Sequence, residues 1–152
     1  MSLPLLHNPS RIIQKVLISL GLGSASATSS WPVFYSNEPS QPDNCITVYD
    51  TAGRHDGRAM TDGETWLHQG FMVRVRSKDN TTGWQKSEMI RKSLGEDIYA
   101  LTVIIDSIYY VVQCVAQIGQ TIPLGKDPDS NRSLFTINAL ISVKRVEPGT
   151  GT

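Results

Sequence analysis

The sequence is short of the features that announce chemistry. Two cysteines in 152 residues, Cys45 and Cys114, make neither a disulfide framework nor a four-ligand metal site. Both lie in strand-like apolar runs and read as buried thiols. Excess charge is missing too: fourteen basic residues balance fourteen acidic ones, and only 18% of the chain is charged. The whole chain therefore lacks the electrostatic footprint of a nucleic-acid binder or of a protein held on an anionic membrane. A neutral surface repels copies of itself weakly, which permits assembly without requiring it. The N-terminus has no positive region followed by an apolar stretch and cleavage site, so no secretion signal is read. One long apolar stretch runs from Ile98 to Ile118. Asp106, Gln113 and Gln117 interrupt it and Ile, Val and Thr dominate it, which favours two buried strands over a spanning helix. No internal repeat is found.

What is present fits one domain over residues 1–152, with flexible ends at 1–7 and 147–152. Its hydrophobic content of 39% supports a continuous core. A helix is expected from Pro9 to Leu20, with Asn8 as N-cap and Pro9 where a missing N–H costs nothing. Ile12, Ile13, Val16, Leu17 and Leu20 recur at helical spacing, and Gly21 and Gly23 stop it. Trp31 to Tyr35 reads as a short strand pushed to a sheet edge by Pro32. Cys45 to Tyr49 reads as a second strand, with Ile46 and Val48 on one face. A loop from Asp50 to Gly63 holds almost nothing to bury, and loops of that length are usually functional or disordered.

Further on, Phe71, Val73 and Val75 alternate with Met72, Arg74 and Arg76, a half-buried strand with a basic outer face. A helix between Thr81 and Leu94 uses Trp84, Ile90 and Leu94 as apolar contacts. Gly83 and Ser87 allow it to approach the sheet closely, Lys86, Arg91 and Lys92 take the solvent side, and Gly95 ends it. Asp106-Ser107 divides the apolar stretch into a hairpin, 98–105 and 108–117. A second polar loop is expected from Gly119 to Arg132. The last strand has the clearest pattern: Phe135, Ile137, Ala139, Ile141 and Val143 face in, while Thr136, Asn138, Ser142 and Lys144 face out. The fold class is thus α+β, a mainly antiparallel sheet with two helices packed on one face and long polar loops.

No catalytic constellation emerges. His7, His55 and His68 lack ligand partners at metal spacing. Arg54, His55 and Asp56 form the only tempting cluster, and an exposed polar loop explains it better. Gly53 and Gly57 make no phosphate cradle, since no Lys-Ser/Thr pair and no strand–glycine–helix context follows. Asp127 and Asp129 lack the spacing and terminal glutamate of a calcium loop. Arg74, Arg76 and Lys78 read as the exposed face of a strand rather than as phosphate contacts. Trp31 and Trp66 serve as core or interface anchors. Neither an enzyme activity nor a cofactor is expected.

Three segments together resemble a known group. Pro42-Asp43-Asn44, the apolar strand Cys45 to Tyr49 and Gly53 are similar to a segment of phage minor capsid and tail-terminator-like proteins. Gly70 to Arg76 resembles their glycine, apolar, Val-Arg-Val-Arg strand. Pro123 to Asp127, Arg132 and Phe135 to Asn138 resemble their Leu-Gly-x-Asp, Arg, Phe-Thr-x-Asn segment. The resemblance covers residues 6–146. It implies a structural virion subunit at the head-to-tail junction of a long-tailed phage, assembled in the host cytoplasm. Tail terminators of this kind form hexameric rings that cap the tail tube and meet the head connector. The implied partners are copies of the chain itself, the tail-tube protein and a connector or stopper protein, with transient proximity to DNA in the channel and no membrane. Subunit contacts are expected at Arg54, His55, Asp56, Arg58, Asp62, Lys126, Asp127 and Arg132. The polar insertion 54–61 departs from a typical member. A head-completion or stopper protein, and a non-viral module binding a peptide or small ligand, are the alternative readings.

Overall fold

Alternation at period two commits most of this chain to strands, and a computed structural model describes residues 4–25, 30–54, 67–116, 118–128 and 130–147. In chain order the elements are α1 (Pro9–Ser19), β1 (Val33–Tyr35), β2 (Cys45–Arg54), β3 (Leu67–Ser77), α2 (Asn80–Glu96), β4 (Leu101–Ile105), β5 (Ile108–Ala116), β6 (Ile122–Lys126) and β7 (Ser133–Val146). They form one seven-stranded sheet in the order β1-β2-β3-β7-β5-β4, with β6 paired to β7 off this path. Five of the six pairings are antiparallel. The sixth, β1 with β2, is parallel, so the sheet is mixed rather than wholly antiparallel.

The inward half of the last strand behaves as its pattern demands, but of the residues expected to face out only Asn138 is exposed: Thr136 and Ser142 are buried and Lys144 is half-buried. Phe135, Ile137, Ala139, Ile141 and Val143 are buried, and they lie beside Phe71, Val73 and Val75 of β3. β7 pairs the whole length of β3 through Ser133 to Val143 on one edge, and β6 then β5 on the other. Residues of both helices join one buried cluster: Ile12, Ile13, Val16 and Leu17 from α1, Ile90 and Leu94 from α2. α1 touches β1, β2 and β3, and also β4 at the opposite end of the strand order. A sheet whose far strand returns to the helix covering its first strands must be strongly curved.

Aspartates fix both helix starts. Asn8 stands at the N-cap of α1 without making a side-chain cap bond. The Asp50 carboxylate takes that role from β2, accepting from the Ser10 backbone N–H at 2.8 Å, from Ser10 Oγ at 3.0 Å and from Asn8 Nδ2 at 3.2 Å. Asp79 caps α2 in the ordinary way, accepting from the Thr82 backbone N–H at 3.0 Å. Close approach of α2 to the sheet depends on Gly83, where a Cβ would lie 2.6 Å from Phe135 Cε2 and 2.9 Å from Ser77 Cβ.

The β4–β5 hairpin turns at Asp106-Ser107, as expected, and both residues sit at positive φ, 51° and 68°. That is the conformation two-residue hairpins require. A polar cluster holds this turn to the start of α1. His7 Nδ1 lies 2.7 Å from the Tyr110 hydroxyl and His7 Nε2 lies 3.1 Å from Asp106 Oδ2. Arg11 reaches the same carboxylate at 3.4 Å, and the Leu6 N–H donates to the Tyr110 hydroxyl at 3.1 Å.

Several expectations need correction. α2 continues two residues past Leu94, through Gly95 to Glu96, and ends at Asp97, whose N–H donates to the Ser93 carbonyl. Trp84 is 40% exposed and packs only edge-on against Phe135. Lys86 does not stand free in solvent; its ammonium lies over the Trp31 ring, 5.4 Å from the centroid, and desolvation lowers its pKa. The stretch 50–54, read as loop, extends β2 and pairs with β3 through a bulge. Within the segment 119–132, read as a polar loop, residues 122–126 form β6.

Candidate subunit interface

A clasp on the outer face of the sheet brings together the three segments singled out in the sequence. The chain from Ser36 to Asn44 crosses that face after β1 and includes a cis Gln41–Pro42 peptide. Arg76, near the end of β3, donates from Nη2 to the Pro42 carbonyl at 2.6 Å and from Nε to the Asp43 carbonyl at 3.4 Å. Arg132, just before β7, grips the Asp43 carboxylate through Nε at 2.9 Å and Nη2 at 2.7 Å. Its Nη1 donates to the Ser40 carbonyl at 2.6 Å. Asn44 Oδ1 accepts the Lys78 backbone N–H at 3.0 Å. Glu38 lies within ion-pair range of Arg74 Nε at 3.7 Å and of Arg76 Nη1 at 3.8 Å.

This crossing segment explains why the outward residues at the start of β2 and the end of β3 are not exposed. Cys45, Thr47 and Arg76 are all buried. Burial raises the Cys45 thiol pKa, with Arg76 acting in the opposite sense. It also raises that of Tyr49, where Glu38 adds to the shift. Arg76, read as part of a basic outer face, is therefore an internal fastener. The signal that could have found it is the pairing of Asp43 with two arginines of the resembling motifs. Single-strand alternation does not carry that information.

Arg132, expected at a subunit contact, directs its guanidinium into its own chain, and the residue is only 7% exposed. What it fixes is the hairpin of β6 and β7. That hairpin closes through Asp127: its N–H donates to the Arg132 carbonyl at 2.8 Å, and its carbonyl accepts the Asn131 N–H at 2.7 Å. Ser130 Oγ donates to the Asp127 carboxylate at 3.0 Å. Lys126 ends β6 opposite Ser133 and is exposed. Every residue of β6 is exposed, including Ile122 at 47% and Leu124 at 51%. Arg54 is the last residue of β2, paired with His68. His55, Asp56, Arg58 and Asp62 lie outside the described residues, as does Trp66.

A second partly apolar surface lies on α2. Trp84, Met89, Lys92 and Ile118 line an open groove there, with Met89 55% exposed. Among the described residues, no group of three or more His, Cys, Asp or Glu side chains is placed to hold a metal ion. No described helix is long and apolar enough to cross a membrane. These surfaces offer hydrogen bonds, charges of both signs and apolar contact to another polypeptide.

No curated protein matches the chain in sequence. One similar solved structure superposes with a TM-score of 0.50 at 16% identity, covering 90% of this chain and 94% of its own, which shows a shared fold. The family model described as "Bacteriophage tail terminator protein" matches residues 16–145, a span that includes the clasp, the β6–β7 hairpin and all seven strands except the last residue of β7. The chain belongs to the bacteriophage tail terminator family, and is thereby a structural protein of the phage tail and a component of the virion.

Proposed function

We propose that this chain ends the growing tail tube, assembling as a ring, hexameric in the reading given above, that caps the tube and presents a surface to the head connector or stopper. The family match over residues 16–145 carries the reading. The surface chemistry supports it: a ring needs two different patches on each copy, and this chain exposes an apolar hairpin at β6 and a separate groove on α2. Lys126 and Asp127 stand at the hairpin end, while Arg54 at the end of β2 and His55, Asp56, Arg58 and Asp62 after it supply both signs of charge. Reciprocal ion pairs between copies would set register more than they add affinity. Arg132 acts indirectly, by holding the hairpin that carries Lys126 and Asp127.

The role is mechanical, and no residue is assigned to catalysis. Electron microscopy of particles assembled without this protein tests the reading. Tail tubes of uncontrolled, excessive length are expected. Tails of normal length detached from full heads would instead assign the chain to joining, as a stopper or head-completion protein.

A further inference from the structure

An exposed strand edge presents unpaired N–H and C=O groups and invites another strand, so soluble proteins blunt such edges with proline, charge, bulges or a covering segment. The described sheet ends or opens at three strands. At β1, Ser24 covers the edge: the Val33 N–H donates to the Ser24 carbonyl and the Ser24 N–H to the Trp31 carbonyl, both at 2.9 Å. At β6, Pro123, a bulge between Pro123 and Gly125, and Lys126 interrupt the edge. At β4 none of these interrupts the strand among the described residues, and its buried residues Val103 and Ile105 join the core cluster shared with α1. Leu101-Thr102-Val103-Ile104-Ile105 has no charge, no proline and no bulge, and among the described residues it pairs only with β5. Ile104 is 51% exposed. Tyr99, two residues before the strand, is 88% exposed, the highest value among the exposed large hydrophobic side chains of the described residues.

We propose that β4 is a self-pairing edge, joining two copies of this chain antiparallel about a twofold axis centred near Val103. The charges around the strand fit a second copy. Its N-terminal end follows the exposed Glu96 and Asp97. Its C-terminal end at Asp106 sits with Arg11, 3.4 Å away, and Lys15, which both lower the Asp106 pKa, after the His7 hydrogen bond. Antiparallel pairing carries the acidic end of each copy toward the basic surroundings of the other, twice over. Thr102 of one copy then lies opposite Ile104 of the second, both on the exposed side of the strand. The contact is isologous, with the same patch on both copies, and so differs in kind from the head-to-tail contacts that close a ring. Five residue pairs make a small interface, and the association is reversible and concentration-dependent.

Sedimentation velocity over a concentration series, on the full chain carrying Cys114→Ser, reads the association. A monomer–dimer equilibrium is expected, and Ile104→Lys weakens it about tenfold or more while leaving circular dichroism unchanged. In a Thr102→Cys/Ile104→Cys variant, mild oxidation gives a covalent dimer, whereas Thr102→Cys alone does not. A chain that stays monomeric at its highest soluble concentration overturns the proposal. So does a dimer that Ile104→Lys leaves intact, or one that the double-cysteine variant fails to trap. Tail-length control by Ile104→Lys is read separately in assembled particles, so loss of capping and loss of dimer are distinguishable.

Discussion

Ser107 holds φ at 68° beside Asp106 at 51°, in a turn where glycine is the usual occupant. Asp106 has a reason to be there, because His7 and Arg11 both use its carboxylate. For Ser107 the described contacts give no such reason. Ser107→Gly is expected to stabilise the fold by about 0.5 kcal/mol, the relief of left-handed strain less the added chain entropy. Urea unfolding measures it. At Asp50 the opposite outcome is expected. Asp50→Ala strips the start of α1 of its acceptor and costs about 1–2 kcal/mol in the same assay, with Asp50→Asn intermediate. The Asp106 carboxyl is held below its ordinary pKa first by the His7 hydrogen bond and then by Arg11, and that of Asp79 by the Thr82 side chain. Folded values below unfolded ones mean stability that is complete above about pH 4 and lost as pH falls through the folded pKa. Thermal midpoints taken between about pH 2 and 5 should therefore slope less in Asp106→Asn than in the parent.

Among the elements, β7 and the β4–β5 hairpin were legible in the sequence because their residues alternate and their turn sits where alternation breaks. α1 was legible from its apolar spacing. Its true cap was not, since Asp50 lies forty residues away and acts across space. β6 was invisible for a related reason. All five of its residues are exposed, so it has no buried face to leave a pattern, and only the free edge of β7 makes it a strand. Gly95 misled because glycine ends helices when it adopts positive φ, and this one does not. The clasp was half legible: its motifs drew attention, but the burial of Arg76 and Arg132 depends on Ser36 to Asn44 crossing the outer face. Arg132→Ala should cost about 1.5–3 kcal/mol, the range for hydrogen bonds to charged groups. It should also speed amide exchange in β6 ahead of the rest of the sheet. Gly83→Ala, which drives a methyl into Phe135, should cost about 1–3 kcal/mol, read from the denaturation midpoint.

For the whole molecule, the residues expected to contact neighbours divide into those that offer groups and those that position them. Lys126 and Asp127 stand on the exposed hairpin end; Arg132 anchors that hairpin from within. The charge-assisted bonds that hold the hairpin, at 2.6–2.9 Å, are the short, strong kind. Composition could not show which edges of the sheet were blocked. Pairing partners decide that, and they are distant in sequence.

β7 has a consequence for the order of events in synthesis. It is the strand that β3, β5 and β6 all pair with, and each of those partners precedes it along the chain. A nascent chain whose first 132 residues have emerged thus holds three sheet fragments, β1 to β3, β4 with β5, and β6, without the strand that joins them. Cooperative folding waits on the final strand, as the dominance of non-local pairing would also require. Translation-arrest force measurements along the gene should register one late folding event, rising only once β7 clears the ribosome tunnel.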